Sequence, residues 1–169
     1  MIKYELLPEY TLNIEGKTLY RIRALIDIPE CGVRKGDLGG YVQKSHNLSQ
    51  KGICWIGHDA MVYGYAHVAD DALVDGDAHV YGEARIFGKA RISGHASIFG
   101  RAWVYGNATV CGEAQVYDDT QVSCNARIAG SVKVSGFARV QGQAWLYGNT
   151  QVFGTTRVAS GHYGSRTVV

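Results

Sequence analysis

The sequence predicts an all-β protein in which most of the chain winds into a parallel β-helix of triangular coils, preceded by a small N-terminal β cap. The first observation is a six-residue repeat that runs from Ala60 to Gly161 in seventeen copies without an insertion. The second is its composition, since the third position is Val, Ile or Leu in every copy and the fifth is Gly in thirteen. A strict period of this kind is typical of solenoid proteins.

Each copy of the repeat is expected to form one short strand and one corner. Side chains alternate across a strand, so the first and third positions point into the prism and the second and fourth point outward. The first position is Ala in thirteen copies, which suits a narrow interior. Gly at the fifth position permits a corner in a backbone region closed to most other residues. Three copies complete one coil, so the repeat predicts about six coils in a prism roughly 27 Å tall, at ~4.8 Å per coil.

The segments that flank the repeat complete the predicted organisation. Residues 1–47 form the cap, in which residues 10–14 and 19–26 alternate around a Glu-Gly-Lys turn as a β-hairpin. We expect the cap to cover one open end of the prism, because a solenoid must cover its terminal coils. Residues 48–161 form the β-helix, with 48–59 as its first, loosely patterned strands. Residues 162–169 form a short C-terminal tail.

Three segments before the repeat strengthen a resemblance to a known family. They are Gly36-Asp37-Leu38-Gly39-Gly40-Tyr41-Val42, Asn47-Leu48-Ser49-Gln50 and Cys54-Trp55-Ile56. With the repeat, they resemble the hexapeptide-repeat, left-handed parallel β-helix proteins, and among these the small bacterial and phage proteins of the YdcK-like group. The resemblance covers nearly the whole chain and implies left-handed coils. It implies no single function, because the class includes acyltransferases, carbonic anhydrase relatives and non-catalytic proteins.

Outward residues eighteen positions apart return to the same side of the prism and form ladders on three faces. On the first face, five of six fourth-position residues are aromatic, namely Tyr63, Tyr81, Phe99, Tyr117 and Phe153. Exposed apolar stripes usually mark contacts between proteins, so we interpret these residues as an oligomer interface, with a trimer expected. The alternative is a ladder in which the rings stack on one another within one chain.

Arginine and aromatic residues share the second face. Arg85, Trp103 and Arg139 occupy the second position, with Phe87 and Tyr105 beside them in the fourth. Guanidinium groups bind phosphate and aromatic rings stack on bases, so these five residues are the candidate ligand-binding residues for an anionic or planar ligand. The alternative is that the arginines only keep the sheet soluble and block lateral pairing.

Catalytic patterns are sparse. His79 and His95 are the histidines well inside the regular coils and are the candidate catalytic residues, with Glu83 and Glu113 as possible carboxylate partners. Acyltransferases of the resembling class typically place a histidine at a subunit boundary, often beside a loop that interrupts the coils, and this repeat contains no such loop. The chain has no nucleophile elbow, phosphate-binding loop or metal-ligand spacing. No metal site or disulfide bond is therefore expected, and Cys54 is expected to be a buried residue that packs in the core.

These observations favour a non-catalytic binding or scaffold protein that self-associates through the first face and binds an anionic ligand or a partner protein. A phage-type inhibitor or sequestering role is compatible with the resemblance. The alternative is a hexapeptide-repeat acyltransferase with a nucleotide-containing acyl donor, acyl-CoA, held between subunits. A third interpretation is a structural module of a larger assembly.

The expected setting of the protein follows from what the chain lacks. No apolar run is long enough to span a membrane, and the N-terminus does not resemble a signal peptide, so a cytoplasmic protein is expected. The leading interpretation needs no cofactor. Nucleic acid stays among the candidate partners, because the net charge of +2 decides nothing about them.

Overall fold

The repeat folds into a parallel β-solenoid with antiparallel strands at its N-terminal end. The computed structural model describes residues 2–165 and 167–168. Each copy of the repeat forms one strand of two or three residues followed by a corner. The predicted all-β architecture, with its cap and its stacked coils, is confirmed, and the coils number about seven.

The cap contains the predicted hairpin. Strand β1 (Tyr4–Ile14) pairs antiparallel with β2 (Lys17–Ala24), which pairs antiparallel with β3 (Leu38–Val42). The hairpin begins six residues before the predicted start at Tyr10. Alternation in β2 is broken by a register shift near Arg21, so Leu19 and Ile22 are both buried. Regular alternation would place Tyr20 on the same side as Ile22, but Tyr20 is only half-buried for the same reason.

The cap is continuous with the first coil. Two short 3₁₀ helices, Pro29–Cys31 and Ser45–Asn47, connect β2 to β3 and β3 to the coils. Strand β3 also pairs in parallel with the first-face strand at Met61–Val62, which places the cap directly on the end of the solenoid.

Each face of the prism is one sheet. After the cap, the first face continues through β5 (Met61–Val62), β8 (His79–Val80), β11 (Ser97–Ile98), β14 (Gln115–Val116), β17 (Lys133–Val134), β20 (Gln151–Val152) and β23 (Thr167–Val168). The second face contains β6 (His67–Val68), β9 (Arg85–Ile86), β12 (Trp103–Val104), β15 (Gln121–Val122), β18 (Arg139–Val140) and β21 (Arg157–Val158). The third face contains β4 (Trp55–Ile56), β7 (Leu73–Val74), β10 (Arg91–Ile92), β13 (Thr109–Val110), β16 (Arg127–Ile128), β19 (Trp145–Tyr147) and β22 (His162–Gly164).

The first and third positions of the repeat fill the prism, as predicted. Every first-position Ala is 0% exposed, and every third-position residue is at most 3% exposed. Fully burying one Val or Ile side chain contributes roughly 1.5–3 kcal/mol relative to leaving it in water. This double column of small and branched side chains is therefore the main source of stability.

The corners use the left-handed backbone region that the glycines predict. The fifth-position residues from Gly64 to Gly154 all have φ between 57° and 84°, including Asp70, Asp118 and Cys124. The Asp70 and Asp118 carboxylates accept hydrogen bonds at 3.0 and 2.9 Å from the backbone N–H of the corner glycines one coil further on. Both aspartates are therefore turn residues.

The period shortens near the C-terminal end, by one residue on the third face and by two on the first face, where Gln151 pairs with Thr167. Trp145 pairs with His162, whereas the eighteen-residue period predicts residue 163. Strands β22 and β23 pair in parallel with the preceding coil, so the stack of strands continues past Gly161. No helix among the described residues is long and apolar enough to cross a membrane.

A buried lysine fastens the cap to the first coil. Lys3 is 2% exposed, and its Nζ donates to the backbone oxygens of Cys54 at 2.8 Å and of Lys51 and Gly52 at 3.4 Å. The Cys54 Sγ is a fourth acceptor at 3.1 Å, so the three donors of the lysine are fully used, which offsets the cost of burying it. Cys54 is 0% exposed, as expected, and burial raises the pKa of its thiol.

Candidate functional site

A groove follows the corner between the first and second faces, and we call it the corner groove. It consists of adjoining cavities of about 490, 350 and 330 Å³, and Arg101 lines all three. One wall is formed by second-position residues of the second face and the other by sixth-position residues at the corner. The second-face wall contains Arg85, Trp103, Gln121 and Arg139, and the corner wall contains Tyr65, Glu83, Arg101, Asp119 and Phe137.

Trp103 is the centre of the second-face wall. Its ring meets Phe87 nearly at right angles, at 77° and 5.9 Å between centroids, and the Arg85 guanidinium lies 5.6 Å from its centroid. Phe87 stacks in parallel on Tyr105 at 4.9 Å. Trp103 still keeps 40% of its surface exposed, so it can receive a ligand.

The five predicted ligand-binding residues thus divide into two groups. Arg85, Trp103 and Arg139 line the corner groove, with Gln121 between the last two along the sheet. Phe87 and Tyr105 are half-buried and act as support for the Trp103 ring.

The corner groove carries charges of both signs in equal number. Its guanidinium groups belong to Arg85, Arg101 and Arg139, and its carboxylates to Glu83, Asp118 and Asp119. Arg101 donates from Nη2 to Asp119 Oδ2 at 2.7 Å. This pair is partly exposed, so it adds little stability and mainly orients both groups.

The aromatic corner residues carry no signal in the repeat. Tyr65 and Phe137 are 71% and 64% exposed, and Lys44 Nζ lies 4.8 Å from the centre of the Tyr65 ring. They occupy the sixth position, where residue types vary freely. The sequence offers one signal for their place in the groove. The sixth position of one copy and the second position of the next copy lie on either side of a single inward residue, so both side chains project outward at the corner.

On the first face the aromatic rings form a ladder within the chain. Consecutive rings from Tyr63 through Tyr81 and Phe99 to Tyr117 are separated by 5.1, 5.0 and 4.9 Å and lie within 5° of parallel. Tyr63 is only 5% exposed, with Lys17 of the hairpin 6.0 Å from its ring centre, and burial raises its pKa to about 12. Phe153 is 38% exposed and is separated from the ladder by Ser135. The rings therefore stack on one another within one chain, as the alternative interpretation expects. The role of this face as an oligomer interface stays a prediction.

The two candidate catalytic histidines lie outside the corner groove. His79 is on the first face, and His95 is on the corner between the third and first faces, where its Nδ1 is 3.6 Å from Asp77 Oδ2. Glu83 lies in the corner groove, and Glu113 accepts a hydrogen bond from Ser131 Oγ at 3.2 Å. His95 and Glu113 occupy the same corner one coil apart, but no hydrogen bond or ion pair between either histidine and these two glutamates is found in the described part of the chain.

A second concave surface lies where the cap overhangs the third face. Its two cavities, of about 370 and 460 Å³, share Cys31 and Leu73. His58, in the left-handed region with φ 47°, is hydrogen-bonded through Nδ1 to Asp75 Oδ1, and this bond raises the pKa of the imidazole. Gly57 makes room for the pair, because a Cβ there would lie 2.5 Å from Asp75 Oδ1.

The other groups at this second surface are less suited to chemistry. Burial raises the pKa of the Cys31 thiol, which donates to the backbone oxygen of Ile53 at 3.3 Å. Thiolate nucleophiles need the opposite shift. Within residues 2–165 and 167–168, no group of three or more His, Cys, Asp or Glu side chains is placed to hold a metal ion.

Comparison of the chain with protein-family models and with curated proteins gives no match. The β-solenoid architecture is therefore established by the structure, and kinship with hexapeptide-repeat proteins stays a prediction from the sequence. Function is argued from the geometry of the chain itself.

Proposed function

We propose that this chain is a non-catalytic binding protein that holds an anionic ligand in the corner groove. The observation that carries the proposal is the exposed Trp103 ring, which shares one groove with three guanidinium groups. The ligand presents a flat face to Trp103 and an anionic group to the arginines.

The chemistry of the groove supports such a ligand. Arginine forms charge-assisted, often bidentate hydrogen bonds with phosphate and carboxylate groups. An aromatic ring adds stacking on any flat apolar face. Both kinds of side chain project from short strands held on each side by backbone hydrogen bonds of 2.7–3.1 Å, so little ordering of the backbone is needed on binding.

Arg85→Ala and Trp103→Ala are each expected to lower ligand affinity roughly tenfold or more. A hydrogen bond to a charged group contributes about 1.5–3 kcal/mol, and stacking of a flat ring such as a base on an aromatic side chain contributes about 1–3 kcal/mol. The ligand search uses thermal shift with ATP, acetyl-CoA, an oligothymidylate and acidic oligosaccharides, followed by calorimetric titration of each ligand that stabilises the protein. Binding should weaken as salt is raised, because exposed charges are screened.

The matched controls are Arg127→Ala and Trp145→Ala on the third face, where Trp145 is 39% exposed against 40% for Trp103. Both controls should bind as the parent does. The proposal is wrong if no anion raises the melting temperature, or if the control variants lose as much affinity as the groove variants.

Self-association through the first face, as a trimer, is the second part of the proposal. Tyr81, Phe99 and Tyr117 are half-buried in the single chain and Phe153 is more exposed, which leaves a stripe of ring edges at the surface. Tyr81→Glu with Phe99→Glu is expected to shift the oligomer to monomer, because charges would enter an apolar contact. The measurement is size-exclusion chromatography with light scattering at micromolar concentration.

The control for that experiment is Thr109→Glu with Arg127→Glu, which adds two carboxylates to the third face and should leave the oligomer intact. A parent protein that is already monomeric would refute the interface, and the aromatic ladder would then be purely intramolecular.

Membership of the left-handed hexapeptide-repeat proteins of the YdcK-like group is part of the same proposal and is supported by the repeat and by the segments before it. A cytoplasmic location stays a prediction. The acyltransferase alternative would need His79 or His95 beside a carboxylate in a cleft that admits acyl-CoA. The described residues place neither histidine in the grooves reported above, so binding is preferred.

A further inference from the structure

The corner groove extends along the solenoid axis across five successive coils, which we number as levels 1 to 5 from the cap. The corner wall contributes Tyr65, Glu83, Arg101, Asp119 and Phe137 to these levels in that order. At ~4.8 Å per coil, Tyr65 and Phe137 are about 19 Å apart along the axis. A ligand that contacts both ends of the groove is therefore an extended chain.

The exposed rings recur every second level. Tyr65 lies on the corner wall at level 1, Trp103 on the second-face wall at level 3, and Phe137 on the corner wall at level 5. Two coils span ~10 Å, which is commensurate with a disaccharide in an extended glycan. Each sugar ring presents an apolar C–H face that can pack on an aromatic ring, as other apolar groups do.

Of the charged groups, the carboxylates follow the same two-level period. They lie between the rings, with Glu83 at level 2 and Asp118 and Asp119 at level 4. The arginines are spread more evenly, with Arg85 at level 2, Arg101 at level 3 and Arg139 at level 5. The groove therefore offers hydrogen-bond acceptors and cationic donors along its length.

The carboxylates separate two classes of polymer. Carboxylates are acceptors only, so Glu83, and Asp119 beyond the bond that it accepts from Arg101, suit a ligand that donates. The phosphodiester backbone of single-stranded DNA has no donors and carries a negative charge at each nucleotide, so both carboxylates oppose it. An acidic glycan has hydroxyl donors for the carboxylates and carboxylate groups for the arginines.

We infer that the ligand of the corner groove is an extended acidic oligosaccharide, bound along the axis with its sugar rings packed on Tyr65, Trp103 and Phe137. This inference rests on the proposed function and adds to it the class of ligand, its direction and the use of the two corner rings.

The test is a length series measured by calorimetry and by fluorescence titration. The probes are hyaluronan oligosaccharides and oligogalacturonates of two, four, six and eight sugars, with colominic acid oligomers as a third acidic glycan. Affinity for at least one series should rise tenfold or more from the disaccharide to the hexasaccharide, and then level off once the groove is filled. Neutral chitohexaose and hexathymidylate should bind at least tenfold more weakly than that hexasaccharide.

Variants at the two ends of the groove test the direction of the chain. Tyr65→Ala and Phe137→Ala should each lower hexasaccharide affinity at least fivefold while leaving the melting temperature unchanged, because both rings are exposed. Tyr147→Ala is the matched control, with a ring 43% exposed on the third face, and should bind as the parent does.

The outcomes distinguish this inference from the proposed function. One outcome is that compact anions bind and require Arg85 and Trp103, while affinity does not depend on the length of the oligosaccharide or on Tyr65 and Phe137. In that case the groove binds anions as proposed, and the inference of an extended glycan is overturned. If hexathymidylate binds more tightly than every acidic glycan, the ligand is a nucleic acid and the glycan inference is wrong. If neutral chitohexaose binds as tightly as the best acidic hexasaccharide, the ligand needs no acidic groups. If no probe of any class binds, both proposals fail.

Discussion

Gly106→Val is expected to lower the free energy of unfolding substantially through two separable effects. Gly106 has φ 70°, and a branched side chain in this region costs about 1–3 kcal/mol of backbone strain. A Cβ at this position would also lie 2.9 Å from the backbone nitrogen of Cys124 in the next coil. Relieving that overlap separates two hydrogen-bonded coils, at a further cost of about 1–3 kcal/mol.

Gly154→Val separates the two effects. Gly154 has nearly the same φ, 68°, but nothing lies within 4 Å of a Cβ built there. It should therefore carry the strain without the overlap and lose about half as much stability as Gly106→Val. Urea unfolding of both variants, with unchanged denaturant dependence as a check on two-state behaviour, measures the difference. Equal losses of stability in the two variants would contradict the steric overlap at Gly106. If both variants were as stable as the parent, the positive φ of these corner residues would be contradicted.

Ala102→Leu is expected to destabilise the protein by roughly 1–3 kcal/mol, because the prism has no space for a larger side chain. Ala102 is 0% exposed, and its coil is held by hydrogen bonds of 2.9 Å from Arg85 N–H to Ala102 oxygen and from Trp103 N–H to Thr120 oxygen. Pushing the coils apart would weaken both bonds. The measurement is again the free energy of unfolding in urea.

The control for the overpacked core is Ala129→Leu, at a half-buried outward position on the third face. It should change stability by no more than about 0.5 kcal/mol, as surface substitutions usually do. Ala102 also lies between Arg101 and Trp103, so Ala102→Leu should weaken ligand binding in the corner groove as well. A variant as stable as the parent would show that the first position of the repeat does not face the interior.

The repeat and its chemistry predicted the fold in detail but the residues of the candidate site only in part. Inward and outward positions follow from the alternation of side chains along a strand, and every first-position Ala and third-position aliphatic residue conforms to it. Arg85, Trp103 and Arg139 were found because they share one ladder. Tyr65, Arg101 and Phe137 were not, because they belong to a different ladder that meets the first only across a corner.

By itself, the sequence determined the parallel coils, the corner glycines and the contents of the prism, because each depends on the six-residue period alone. Only the tertiary structure decided which outward ladders face each other. The angle between two neighbouring ladders depends on how sharply the corner residues, with their positive φ, turn the chain. The tertiary structure also decided the contacts of the cap, such as Lys17 with Tyr63 and Lys3 with Cys54. The cap does not repeat, so its contacts with the coils depend on long-range packing that no period encodes.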